Sequence, residues 1–320
     1  MSKCIDNSTD YITVQQFEDI IKRHDNYVKT NKIEPNICYI DSIKKDTHIT
    51  INKYYDMKTR YDNYIKEHCQ KPNICYITKP TSTSTGTSIN TNPEGKVFLL
   101  DNLISARQTF RKHVKNNNNY PNYLDIKGKD GKLYRCDKAL YMGLFEAMHM
   151  FAIRNGRLPN WVEANTTANN PLVIDYQNNG YTCGPTSLSM CLQMFADYIS
   201  EPTLAKYAGT TRNGTGPADL IRTAKHYGYN MTEIRRNSKA VQDSLNKCRP
   251  VLMHIHTSYA GGRSCLGYRG SYGHYIMCYK MKNGKYCIAD PTKGFKVCAP
   301  SGIDNARSSS NMKYYSISIA

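Results

Sequence analysis

Residues 177–190 read Gln177-Asn-Asn-Gly-Tyr-Thr-Cys183-Gly-Pro-Thr-Ser-Leu-Ser-Met190. Pro185 suits the first turn of a helix, and Leu188, Cys191, Leu192 and Phe195 follow at spacings of three and four, which predicts an amphipathic helix over about 184–198. Cys183 then stands at the helix amino terminus, where free N–H groups and the positive end of the dipole favour thiolate over thiol. Gly184 lets the backbone turn closely around it. A cysteine that merely caps a helix is the bland alternative, but Gln177, six residues ahead, favours chemistry. Its side-chain amide, with the Cys183 N–H, has the reach to bind the oxyanion of a tetrahedral intermediate.

A cysteine nucleophile needs a base, and the base an orienting group. Four histidines lie downstream of Cys183: His226, His254, His256 and His274. His226 falls in an apparent helix (217–227) that ends at Gly228, a common place for a histidine cap. His254 and His256 alternate on the strand pattern VLMHIHTS and share a face, but no third ligand-type residue stands nearby to complete a metal site. His274 follows the glycine-rich stretch 261–273 and opens the strand pattern HYIMCYKM. That pattern turns at Asn283-Gly284 into KYCIAD, the signature of a two-residue hairpin. An antiparallel return brings Asp290 beside His274, where a carboxylate can fix the imidazole tautomer. Asp290 as a plain turn residue is the competing reading.

The amino-terminal half carries a different pattern, a repeat. Residues 12–40 (ITVQQFEDIIKRHDNYVKTNKIEPNICYI) and 49–77 (ITINKYYDMKTRYDNYIKEHCQKPNICYI) align without a gap. Thr13 and Thr50 suit N-caps, and Phe17, Ile20, Ile21, His24 and Val28 recur at helical spacing, as do Tyr54, Met57, Tyr61 and Ile65. Each unit reads as one amphipathic helix, a turn and a short extended Pro-Asn-Ile-Cys-Tyr-Ile segment, with Cys38 and Cys75 as equivalent packing residues. Pro121-Asn122 and Pro159-Asn160 mark two degenerate further copies. Between the pairs, KPTSTSTGTSINTNPEG (79–95) has no hydrophobic period and reads as a flexible linker. The boundaries are repeats 1 and 2 over 1–78, linker 79–95, repeats 3 and 4 over 96–164, and a catalytic-type domain over 165–320. Stacked repeats usually form binding surfaces, although a mere spacer is the alternative.

The 320-residue chain holds 40% hydrophobic residues, enough for buried cores, and no stretch long and apolar enough to span a membrane. No amino-terminal h-region stands out, which predicts a protein that is not exported by an ordinary signal. Its 12 cysteines lack a repeated C-x-x-C pair, so zinc is not indicated and most of them read as reduced and buried. The 26 tyrosines are either a compositional bias or a surface suited to stacking on sugars or bases. A formal charge of +17 points to an acidic partner. Nucleic acid is disfavoured, because no zinc-finger, helix-turn-helix or RNA-binding signature accompanies the charge.

R-x-D-N-Y-[VI]-K (23–29 and 60–66) followed by P-N-x-x-Y-I (35–40 and 72–77) resembles the pseudomurein-binding repeat of methanogenic archaea and of enzymes that degrade their walls. The order Gln177…Cys183-Gly-Pro-Thr…Gly273-His274-Tyr275…Ala289-Asp290-Pro291 resembles papain-like, C39-like cysteine peptidases over about 171–298. Together they resemble the pseudomurein endoisopeptidases of methanogen viruses and proviruses. The resemblance implies an α+β architecture: a papain-like peptidase domain, helix packed on antiparallel sheet, preceded by a mainly α-helical repeat array. It implies hydrolysis of the Ala-ε-Lys isopeptide bond of wall cross-links, with Cys183, His274 and Asp290 as triad and Gln177 with Cys183 forming the oxyanion hole. Wall contacts would fall on the shared residues Tyr27 and Tyr64, Asn36 and Asn73, Tyr39 and Tyr76. Calcium dependence is possible by resemblance, but no EF-hand-like loop is visible and no metal ligand is assigned. The expected setting is reducing, with a monomer made in the host archaeal cytoplasm, not inserted in a membrane, acting on the wall after release. A non-catalytic wall-binding or adhesion protein with a vestigial peptidase-like domain is the alternative.

Overall fold

The computed structural model describes the chain except residues 1–2, 5–10, 41–46, 69–73, 77–88, 259–264 and 305–311. It divides into two compact units, Met1–Gly86 and Thr87–Ala320.

In the first unit the order is β1 (Lys3–Cys4), β2 (Tyr11–Thr13), α1 (Val14–Asn31), β3 (Ile37–Tyr39), β4 (Thr47–Thr50), α2 (Ile51–His68) and β5 (Ile74–Tyr76). Helix α1 starts where the sequence suggests. The Gln16 N–H donates to Thr13 Oγ1 at 3.2 Å while the Thr13 N–H donates to Gln16 Oε1 at 2.9 Å, a reciprocal cap. It ends at Lys32 in the left-handed region (φ 58). Each helix is flanked by a short strand on both sides, and the strands pair crosswise. β2, before the first helix, pairs antiparallel with β5, after the second; β3, after the first, pairs with β4, before the second. Ile12 thus faces Cys75 and Ile49 faces Cys38. Both cysteines are buried and join Phe17, Ile20, Tyr54 and Met57 in one core shared by α1 and α2.

The second unit begins with β6 (Ile89–Asn90), β7 (Val97–Leu99), α3 (Leu100–Asn117), β8 (Tyr123–Lys127), β9 (Leu133–Asp137), α4 (Lys138–Asn155) and β10 (Trp161–Glu163). The crosswise pattern recurs: β7 pairs with β10 and β8 with β9. All four helices are 18 residues long, and α3 and α4 also end on left-handed residues, Asn118 and Gly156. Gly143 in α4 lies under the backbone of Thr166, whose carbonyl would sit 2.3 Å from a Cβ at that position. The tail of the stretch read as linker is not wholly irregular, since Ile89–Asn90 forms β6 and pairs parallel with β9.

The remainder is α5 (Cys183–Gln193), α6 (Glu201–Ala208), α7 (Pro217–His226), β11 (Tyr229–Ile234), α8 (Ser238–Leu245), β12 (Val251–His256), β13 (Gly273–Lys282), β14 (Lys285–Asp290), β15 (Gly294–Cys298), α9 (Pro300–Asp304) and β16 (Tyr314–Ile319). Six strands form one sheet in the order β11-β16-β12-β13-β14-β15, antiparallel at every pairing. Helix α5 lies on it, with Ser187 Oγ donating to the Tyr275 carbonyl at 3.0 Å. The helix stops five residues short of the predicted 198. The chain turns back at Ala196 (φ 55) and directs Asp197 toward α3. There Asp197 accepts from Arg107 (2.9 Å), Arg111 (2.9 Å) and Tyr229 Oη (2.7 Å). This buried cluster joins α3 to the sheet domain within one unit.

Candidate active site

Cys183 is the first residue of α5 and is half-buried. His274 is the second residue of β13 and Asp290 the last of β14, the two arms of the hairpin predicted at Asn283-Gly284. Both turn residues have positive φ (52 and 71), as a tight hairpin with the native twist requires. The open end of the hairpin brings His274 Nε2 to 3.1 Å from Asp290 Oδ1, with His274 3% and Asp290 0% exposed. Asp290 Oδ1 also accepts the Thr292 and Lys293 N–H groups, at 2.8 and 3.2 Å.

Cys183 and His274 are hydrogen-bonded, and their proton affinities move in opposite directions. Burial alone would raise the Cys183 thiol. The hydrogen bond and charge of His274, then the N–H groups of Tyr275 and Gly184, outweigh it and draw the thiol below its ordinary value. Burial alone would lower His274; its bonds to Asp290 and Cys183 overcome that and push it up to about 9. Asp290 is held below the usual carboxylate range: burial opposes this, and the bond and charge of His274, with the Thr292 N–H and Tyr268, prevail. Each shift thus favours the charged member, thiolate, imidazolium and carboxylate, over its neutral form.

Gln177 sits on the neighbouring segment. Its N–H donates to the Pro291 carbonyl at 3.0 Å, its Oε1 accepts from Thr292 Oγ1 at 3.0 Å, and its Nε2 donates to the Asn179 carbonyl at 2.6 Å. One amide N–H is thus committed to Asn179, and the second has no partner among the described residues. The competing histidines have other partners. His226 stacks on Tyr207 at 3.9 Å, His256 meets Ser258 Oγ at 2.7 Å, and His254 stacks on Tyr275 at 4.2 Å, bordering the cleft. That cleft, of about 750 Å³, runs past Cys183 and is walled by Tyr181, Arg212, Tyr272 and Tyr315.

Two features escaped the sequence. Tyr268, 5% exposed, places its hydroxyl 2.8 Å from His274 Nε2 and 2.8 and 2.9 Å from the two Asp290 oxygens. One tyrosine among 26, outside any periodic pattern, carries no signal of such a place. Cys265 and Cys298 form a disulfide with Cα atoms 5.7 Å apart, so not every thiol beyond Cys183 is free. Outside that disulfide, Cys38, Cys75, Cys136, Cys191, Cys278 and Cys287 are buried.

Of the wall-contact candidates, Tyr27 and Asn36 are exposed, Tyr39 and Tyr64 are half-buried, Tyr76 is seen as backbone in β5, and Asn73 lies outside the described residues. Among the described residues no three His, Cys, Asp or Glu side chains cluster to hold a metal ion, and no helix is long and apolar enough to cross a membrane.

Asp175 lies just before Gln177, buried, and its carboxyl is pushed up to about 7 by burial and then by the Glu201 charge. Glu201 itself accepts from the Asn178 N–H (2.8 Å) and Thr186 Oγ1 (3.0 Å). The fold keeps the Asp175 proton to near neutrality, whereas the unfolded chain releases it near pH 4. The group's contribution to stability therefore falls as pH rises from about 4 to 7. His149, pushed down to about 4 by burial, works in the opposite sense below its ordinary value of 6.5. The readout is therefore the difference between proteins: Asp175→Asn should lose less stability than wild type between pH 5 and 8 in thermal melts. Parallel curves would show that Asp175 ionises normally.

Reciprocal shifts of a thiol and an imidazole, backed by a carboxylate, belong chemically to the cysteine peptidases. Residues 172–302 match the Peptidase C39 family, and the carboxy-terminal part of the chain is a C39-like cysteine peptidase domain. The chain is 26% identical over 121 residues to a lactococcin-G-processing and transport ATP-binding protein of Lactococcus lactis, covering 38% of this chain and 16% of that protein. The chain thus spans about a sixth of that relative's length. A protein of Methanothermobacter marburgensis is 28% identical over 122 residues, covering 38% of this chain and 73% of that one. Among solved structures, the peptidase domain of Streptococcus ComA, a bifunctional ABC transporter of quorum sensing, is 17% identical with a TM-score of 0.37, covering 46% of this chain and 98% of that one. A C39-like peptidase of Bacillus anthracis is 15% identical with a TM-score of 0.36, covering 47% and 95%.

Proposed function

We propose that this cysteine peptidase is a lytic endoisopeptidase that cleaves the Ala-ε-Lys bond of pseudomurein cross-links while its repeats hold the wall. The chemical half rests on one observation, the contact chain Cys183–His274–Asp290 with the thiol drawn down and the imidazole up. The substrate half rests on the repeat sequences R-x-D-N-Y-[VI]-K and P-N-x-x-Y-I, and the Methanothermobacter relative supports a methanogen setting. A net charge of +10 over 165–320, against +7 over 1–164, favours an acidic polymer near the catalytic domain.

In this mechanism the Cys183 thiolate attacks the alanine carbonyl carbon. The oxyanion is met by the Cys183 N–H and the free amide N–H of Gln177. Collapse breaks the C–N bond as His274 gives its proton to the departing lysine ε-amine, leaving a thioester. His274 then takes a proton from water, whose oxygen attacks the thioester. The alanine carboxylate leaves and the thiolate returns. Oxidation of Cys183 would stop turnover, hence the need for reducing conditions. Calcium has no matching donor cluster among the described residues, and no step is routed through it.

Trp161 supports a wall-binding role for the second pair of repeats. It follows Asn160 directly, is 52% exposed, and borders a cavity of about 490 Å³ with Phe151, Arg157 and Glu163. Tyr123, in the equivalent position after Asn122, is also exposed. Trp161 is the chain's one tryptophan, so its fluorescence reports this site alone. Soluble pseudomurein fragments should change the emission saturably, and Trp161→Ala should weaken co-sedimentation with walls about tenfold. Unchanged emission together with unchanged sedimentation would remove this surface from the proposal.

A further inference from the structure

We propose that Tyr268 is a positioning residue of the site, a hydroxyl relay that takes the Nε2 proton of His274 in a hydrogen bond, donates its own to Asp290, and so leaves Nδ1 to face Cys183. This role rests on the reading of Cys183 and His274 as nucleophile and base. It follows from counting hydrogens. Tyr268 Oη, His274 Nε2 and Asp290 lie within 2.8–3.1 Å of one another. An ionised carboxylate only accepts, a phenol has one hydrogen to give, and a ring nitrogen has at most one. If Nε2 were bare, Asp290 and Nε2 would face each other at 3.1 Å as two acceptors, with a single phenol hydrogen between them. With the proton on Nε2, two hydrogens serve all three contacts and no lone pairs collide. The remaining ring nitrogen, Nδ1, is then the atom available to the thiol.

The tyrosine is well placed to hold that proton pattern. Burial, then the Asp290 charge, push its phenol far above the usual range, so it stays a donor at any pH the protein meets. Its ring meets the His274 ring edge-on at 5.0 Å, restricting imidazole rotation. Leu266 and Tyr268 are both packed into the core formed by Ile276, Ile288 and Tyr314. Three residues before Tyr268, the Cys265–Cys298 disulfide ties the same segment to β15.

The test needs no substrate. The rate at which iodoacetamide alkylates Cys183 in the full-length protein is followed from pH 4 to 9 by mass analysis of the Cys183 peptide. Tyr268→Phe keeps the ring and loses only the hydroxyl. Its thiolate limb should move up by about one pH unit, with the rate at pH 5 about tenfold lower than wild type. Adding Tyr268→Phe to Asp290→Asn should do little more than Asp290→Asn alone, because the hydroxyl acts through the carboxylate; a merely structural tyrosine would give additive effects. A second measurement uses the wild-type fold: after Cys183 is alkylated, the ¹⁵N shifts of His274 should show neutral imidazole protonated at Nε2. A Tyr268→Phe profile overlaying wild type, additive effects, or an Nδ1 proton overturns the relay while leaving the thiol–imidazole pair intact. An ordinary thiol profile in wild type overturns the pair itself, and the relay with it.

Discussion

Cys183→Ala should reduce hydrolysis of the wall by about 10⁴-fold or more, to background, while binding to the wall is retained. The size of the effect follows from covalent chemistry: without sulfur there is no thioester, and only the oxyanion donors remain to assist water. The change should not disturb the fold. Cys183 is the first residue of α5, its thiol fills no core, and alanine is a good helix former. The readouts are release of new amino groups from purified pseudomurein and co-sedimentation of protein with walls. Loss of both would mean that the variant is misfolded or that binding runs through the catalytic domain. Retained hydrolysis would mean that another nucleophile does the work. If the wild-type protein binds walls but releases nothing under reducing conditions, the chain is an adhesion protein with a vestigial domain.

The second large effect concerns stability. Asp197→Ala should destabilise the Thr87–Ala320 unit by about 3–5 kcal/mol, because it removes the carboxylate that buried Arg107 and partly buried Arg111 share. Tyr229 Oη loses its acceptor at the same time. For a unit of this size the melting temperature should fall by about 10 °C. Replacing the whole cluster, with Arg107→Met and Arg111→Met added to Asp197→Ala, should recover part of the loss, since no charge is then stranded. A drop of under about 1 kcal/mol for Asp197→Ala alone would show that water or other groups reach the two guanidiniums. Catalytic residues are untouched, so activity per folded molecule should survive at low temperature.

What could be read from the residues and what could not divides along the range of the interaction. The start of α5 at Cys183 is written in a few neighbouring residues, with Pro185 behind it and leucines at helical spacing. The hairpin that joins His274 to Asp290 is written in Asn283-Gly284, whose left-handed geometry few other pairs accept. The Thr13 cap and the buried face of α1 are local in the same sense. The strands before each repeat helix are not. Tyr11–Thr13 is three residues long, and what makes it a strand is β5, more than sixty residues away. Crosswise pairing makes each helix-flanking strand depend on a strand beside the neighbouring helix. Helix α5 ends sooner than the apolar period through Phe195 suggests, because Asp197 binds Arg107 and Arg111 on a distant helix. Tyr268 and the Cys265–Cys298 pair belong to an irregular segment, where neither periodicity nor turn chemistry reports what the tertiary fold will bring close.

Mass analysis of the fragments released from purified pseudomurein tests the proposed bond and the proposed polymer together. Wild type should release peptides ending in a free alanine carboxylate and others carrying a newly free lysine ε-amine, in equal amounts, and Cys183→Ala should release neither. Intact cross-links after prolonged incubation with the reduced wild-type protein, or cleavage confined to α-peptide or glycosidic bonds, would overturn the proposed function.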